Sequence, residues 1–408
     1  GKAVHVVALK KPTDMLFKTC LAAALLCLAA AVEIENIRNP RRIPGEYLIT
    51  LKPVPAAQKA NYVLSAAGKI VGRTNAAILN MFSSLESPVL HVKAADAVIS
   101  NAFEIPEVVH IEADVFEKKI EQCSSQNSGS TYWGLSRINS RAAPSYTGAT
   151  YSYRSSGGSG VRVYVLDTGI RTTHQDFSGG RAIFGTNTIG GGNTDVDGHG
   201  THCAGTVLGG NSGVAKGATA IAVKVLNDNG AGSTSSIVNG VNWVITDMQN
   251  RGRAVISMSI GGGASTTLDN AVASAVSANI PTVVSAGNSN ANACNQSPAR
   301  ASSAITVAST DNTDTLSSFS NWGTCVDIMA PGSNIRSAAN TGDGNYVNFS
   351  GTSMACPHVA GAAAVYLQQN PSASAAAVKS ALTSGGSNNY INVRGTSGTP
   401  NILLYENC

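Results

Sequence analysis

Five short apolar runs, at residues 161–166, 220–226, 254–259, 281–286 and 304–308, alternate with helix-like stretches at 199–208, 233–249, 268–278 and 353–368. Apolar runs of this length, with no polar residue at every second position, are strands buried on both faces. Strands interleaved with helices make crossover units, and such units build a parallel sheet covered by helices on both sides. This α/β arrangement also says where chemistry belongs. Functional groups on such sheets gather at the carboxyl ends of the strands.

The block GTSMACPHVAG at 351–361 delivers a serine to the start of a helix. Gly351 permits backbone angles that other residues avoid, and an alanine-rich apolar run follows through Tyr366 and Leu367. Pro357 is expected in the first turn, where its missing N–H forfeits no intrahelical bond. Ser353 then sits where free N–H groups favour developing negative charge. A serine so placed can cap the helix as well as attack a carbonyl.

Two further blocks, VYVLDTG at 163–169 and DGHGTHCAGT at 197–206, decide between these uses. Asp167 follows an apolar strand, so it falls on the carboxyl edge, where it can hold a histidine or a turn. His199 stands between Gly198 and Gly200 at a helix start, open to close approach. His202, one turn deeper, reads as structural, and His358 as buried and hydrogen-bonded.

The chain order Asp, His, Ser in three long blocks resembles the subtilase family, and its proteinase K branch in particular, over about residues 133–405. The resemblance implies a serine endopeptidase working through an acyl-enzyme, with Asp167, His199 and Ser353 as its triad. It implies that Asn288, in SAGN at 285–288, donates its side-chain amide to the oxyanion beside the Ser353 N–H. It makes SMSIGGG at 257–263 a substrate-binding strand, with Ser259, Ile260, Gly261 and Gly262 beside the peptide. Gly230 and Gly232 form the other flank, and Ala286 and Gly287 a wall of the S1 pocket. Neither wall segment carries a charge, so broad specificity with an apolar P1 residue is expected.

A structural Ca²⁺ is the family's usual companion. The resemblance gives one site, Asp327 with the carbonyls of Ser302 and Ala304, an oxygen set suited to that ion. Ser136, Asn139 and Ser140 replace an acidic cluster found in some relatives, which argues against a second site. Asp195 and Asp197 read as a solvated loop rather than a ligand pair. The resemblance also pairs Cys294 with Cys325 and leaves Cys203 as an unpaired buried thiol; Cys356 is expected to be buried too. Cys123 and Cys408 can pair only if the fold brings those two distant positions together.

Upstream of this region the composition changes. Residues 1–14 read as upstream sequence. Residues 15–31 read as a signal peptide, with Lys18, an apolar stretch at 20–28 and small residues at 29–31. Its removal takes Cys20 and Cys27 and leaves six of the eight cysteines, in an oxidising, extracellular setting. Residues 32–122, with strand-like segments at 43–52 and 108–114 and helical stretches between, match the family's inhibitory prodomain, a small α+β unit. The peptidase domain is then 123–408, with the cut expected at about 115–126. A net charge of +4 without a basic cluster gives no case for nucleic acid or membrane partners. The expected partners are protein and peptide substrates and the chain's own prodomain, with the enzyme a secreted monomer.

Overall fold

A computed structural model describes residues 34–39, 42–115, 123–143, 145–249 and 251–408. The expected signal peptide lies outside these residues. The chain divides into two compact units, Gly1–Ile120 and Glu121–Cys408.

In the first unit, four antiparallel strands lie in the order Ala77–Phe82, Val89–Lys93, Arg42–Leu51, Val108–Val115. Side chains alternate along Arg42–Leu51, so Tyr47, Ile49 and Leu51 are buried while their neighbours turn to the other face. The helix Lys59–Thr74 buries Val63, Ala66, Ala67 and Ile70, the spacing of one helical stripe. Strands and helix share one core. The α+β expectation holds, with two strands that the sequence pattern did not mark.

The second unit contains a nine-stranded sheet. Its spatial order is Ser387–Asn388, Ile402–Leu403, Ile328–Pro331, Ile305–Thr310, Thr282–Ser285, Arg253–Met258, Val161–Asp167, Thr219–Lys224, Ala182–Asn187. All neighbours are parallel except the first pair. Alternate residues of the central strands enter two separate cores. Val163, Val165, Ala220 and Val255 pack with the helices His199–Leu208 and Thr352–Gln369. Tyr164, Leu166, Ile221 and Ile256 pack with Thr234–Met248 and Thr266–Ser277. Burial on both faces is why the strands read as unbroken apolar runs. Each fully buried Val, Leu or Ile contributes about 1.5–3 kcal/mol.

Pro357 departs from its expected place. The helix begins at Thr352, so Pro357 lies beyond the first turn, and its missing N–H would have bonded the Ser353 carbonyl. Two neighbouring side chains satisfy that carbonyl instead: Ser259 Oγ donates at 2.8 Å and Cys203 Sγ at 3.4 Å. The proline thereby ties the serine's turn to the next strand and to the His199 helix.

Among the described residues two disulfides are formed, Cys294–Cys325 as the resemblance implied, and Cys123–Cys408. The second joins the strand Cys123–Asn127, paired with Thr150–Arg154, to the last residue of the chain. Cys203 and Cys356 are free and buried.

Candidate active site

Asp167 is the last residue of its strand and is fully buried. Its Oδ1 accepts from Thr168 N at 2.8 Å and lies 2.8 Å from His199 Nδ1. His199 opens the helix His199–Leu208 behind Gly198, whose φ of +103° is a left-handed conformation suited to glycine. Gly200 meets a different need. A Cβ there would stand 2.2 Å from the Gly169 carbonyl, so only glycine lets the histidine helix approach the aspartate turn this closely.

Asp195 is not solvated as expected; it is buried beneath His199. Its Oδ1 accepts from Thr168 Oγ1 and Gly198 N at 2.8 Å each, and its Oδ2 accepts from Thr201 N at 2.8 Å and Thr201 Oγ1 at 2.5 Å. One carboxylate thus ties the turn after Asp167 to the first turn of the His199 helix. Charge-assisted bonds of this kind are the strong ones. Asp197 stays exposed, and its Oδ1 accepts from His199 N at 3.1 Å.

The three histidines near the serine helix differ sharply. Burial pushes His199 down, but the Asp167 carboxylate together with the Cys203 sulfur more than offsets this and holds the imidazole well above its ordinary range. His202 is lowered to about 3 by burial, with Nε2 2.9 Å from the Ile335 carbonyl and its ring stacked on Phe349. His358 is lowered to about 4 by burial, with Nδ1 2.8 Å from the Met354 carbonyl. Only His199 has a carboxylate partner, so only His199 combines readiness for a proton with partial exposure.

Ser353 lies in the first turn of its helix, and its Oγ donates to the Ser259 carbonyl at 3.3 Å. Cys203 connects it to the histidine, with Sγ 3.9 Å from His199 Nδ1 and 3.4 Å from Ser353 O. Asn288 sits just beyond the strand Thr282–Ser285. Its Oδ1 accepts from Thr352 N at 2.8 Å and Thr352 Oγ1 at 2.9 Å, which leaves the amide hydrogens directed away from the helix. A side chain at Gly351 would put its Cβ 3.4 Å from Asn288 Nδ2 and 3.6 Å from Ser353 N. Asn288 Nδ2 and Ser353 N therefore both lie close to one point beside Gly351. Thr352 escaped the sequence reading; its hydroxyl also accepts from Gly287 N at 3.0 Å and so locks the asparagine loop to the helix.

A cleft of about 540 Å³ opens beside His199. Gly230, Gly232, Ser259, Ile260, Gly261 and Gly262 all line it. Leu226, Ile237 and Leu268 add apolar surface, and the ionisable side chains on its wall are Asp197 and His199. Ala286 and Gly287 do not line this cleft. Ala286 is fully buried, with its carbonyl held by Asn321 Nδ2 at 2.9 Å. Gly287 is buried with φ +102°. The two position Asn288 instead.

The oxygens expected to hold calcium do converge, but on a lysine. Lys379 Nζ lies 2.6 Å from Ala304 O, 3.1 Å from Ser302 O and 2.8 Å from Asp327 Oδ1. The cradle as it stands does not fit a calcium ion, because an ammonium occupies the position where the three oxygens meet.

Residues 158–397 match the family model described as the subtilase family. The chain is similar to the extracellular serine proteinase of Thermus sp. (strain Rt41A), 41% identical over 91% of each chain. It is also similar to the alkaline proteinase of Hapsidospora chrysogena, 39% identical over 95% of this chain and 98% of that one. A crystal structure of a cold adapted subtilisin-like serine proteinase superposes with a TM-score of 0.62 at 47% identity, covering 67% of this chain and 97% of that one.

Proposed function

The chain belongs to the subtilase family and is a serine proteinase, and from that premise we propose that it is an endopeptidase with Asp167, His199 and Ser353 as its catalytic triad. Ser353 Oγ attacks the scissile carbonyl while His199 Nε2 takes its proton. Asp167, on Nδ1, fixes the tautomer and stabilises the imidazolium. The tetrahedral oxyanion forms in the space faced by Asn288 Nδ2 and Ser353 N. His199 then returns the proton to the departing amine, and water releases the acyl group by the same steps in reverse. The observation that carries this reading is the convergence of those two donors beside Gly351, since a helix-capping serine needs no second donor from another strand. Preorganised donors of this sort stabilise the transition state by about 3–4 kcal/mol each.

The substrate lies as an added strand between the glycine segments around Gly230 and Gly261, held mainly by its backbone. The apolar wall formed by Leu226, Ile237 and Leu268 supports broad specificity with an apolar P1 residue. Residues 32–122 are the inhibitory prodomain, cut from its own chain by the same nucleophile. Cys123 is committed to the peptidase unit through its strand pairing and its bridge to Cys408, so the cut falls before Cys123. Among the described residues no helix is long and apolar enough to cross a membrane, and the similarity to an extracellular proteinase supports secretion.

Labelling with an active-site serine phosphonate tests the proposal. The processed protein should take up one label, on Ser353. The Ser353→Ala chain should take up none, stay uncut, and lose about a millionfold in kcat. Failure of correctly folded, processed protein to label at Ser353 would contradict the reading and point to a silent peptide-binding protein.

A further inference from the structure

Lys379 stands on the helix Ala375–Gly385, far along the chain from the residues it touches. Ser302 and Ala304 precede the strand Ile305–Thr310, and Asp327 precedes the neighbouring parallel strand Ile328–Pro331. The cradle is therefore built at the amino ends of two adjacent strands. Asp327 is pinned from within: its Oδ2 accepts from Thr306 N at 2.9 Å, and its own N donates to Thr306 O at 2.9 Å. Its remaining oxygen, Oδ1, is the one turned to Lys379.

An ammonium carries three N–H donors, and here three oxygens receive them, at 2.6, 2.8 and 3.1 Å. These are the lengths of charge-assisted N–H···O bonds. A calcium ion asks for six to eight oxygens at about 2.3–2.6 Å. Both cannot occupy one position. A tethered cation also differs from a dissolved one, because no concentration term governs its occupancy.

We propose that the Lys379 ammonium is the resident cation of this cradle, so that the two strand starts are held together without a divalent ion there. The lysine performs by covalent tether what a bound metal performs by mass action. This inference is independent of the catalytic reading and can fail without it.

Amine acetylation followed by peptide mass spectrometry tests it, on the full chain carrying Ser353→Ala to prevent self-digestion. Lys379 should be acetylated at least tenfold more slowly than the exposed Lys52, at equal rates in chelator and in millimolar Ca²⁺. Labelling of Lys379 as fast as Lys52 in chelator would overturn the proposal, because the ammonium would not be in the cradle. A severalfold rise on adding Ca²⁺ would also overturn it, because the metal would be displacing the lysine. As a second measurement, Lys379→Met should melt several degrees lower than its parent in chelator. An unchanged melting temperature would show that the ammonium holds nothing, and would equally overturn the proposal.

Discussion

At the carboxyl edge of the large sheet Asp167 faces His199, with 2.8 Å between Oδ1 and Nδ1; at the amino edge Asp327 faces Lys379, also at 2.8 Å. The distances match, but the partners differ in what a proton can do. The imidazole is one whose charge can change near neutral pH, and its surroundings leave it partly exposed beside a cleft. The ammonium is satisfied by three oxygens and adjoins no nucleophile. One edge holds a cation that comes and goes, the other a cation that stays. Parallel sheets separate the two tasks because strand ends on one edge feed loops that meet substrate, while those on the other only have to stay together.

The largest expected effect from breaking this contrast is at the carboxyl edge. Asp167→Asn should lower kcat by about 10⁴-fold with melting temperature little changed, the loss typical of this change in serine-protease triads. Steady-state kinetics with a peptide substrate checks it. A loss under tenfold would mean that the carboxylate does not set the histidine's state. Asn288→Ala comes next, at about 10²–10³-fold in kcat with KM nearly unchanged, since the amide acts on the oxyanion rather than on the bound substrate. A change confined to KM would move Asn288 from the oxyanion space to the peptide groove.

At the amino edge the effects are on stability. Cys294→Ser opens a bridge of sequence separation 31, two residues before Asp327. Its cost by chain entropy is about 3–4 kcal/mol, or roughly 5–7 °C in melting temperature for a domain this size. Because Lys379 holds Asp327, scanning calorimetry should find the same loss in chelator and in calcium. A larger loss in chelator would tie the bridge to a bound metal and weaken the contrast between the edges.

The sheet was legible because its strands are buried on both sides, which leaves an unbroken apolar run in the sequence. The candidate residues Asp167, His199, Ser353 and Asn288 were legible because each stands at or just beyond the end of an element, where short glycine-containing blocks mark the turn. Other features depend on contacts made across the chain. Lys379 lies in an ordinary alanine-rich helix, and nothing beside it announces three oxygens from two other segments. Asp195 looked like one of two loop acids, and only its bonds to Thr168, Gly198 and Thr201 place it at the start of the histidine's helix. Pro357 was misplaced for the same reason. Its position follows from what Ser259 and Cys203 supply from elsewhere.

The claim that Asp167 makes His199 the working base is tested most directly by the pH dependence of kcat/KM in the parent and in Asp167→Asn. The base must be neutral to accept the Ser353 proton, so activity rises as pH climbs through the His199 pKa. Burial depresses that pKa, and the Asp167 carboxylate together with the Cys203 sulfur raises it further than burial lowers it. The acid limb of the parent should therefore have its midpoint above the ordinary histidine value of about 6.5. In Asp167→Asn, with the carboxylate's opposition to burial removed, the midpoint should fall below that of the parent. The same midpoint in both proteins would contradict the account.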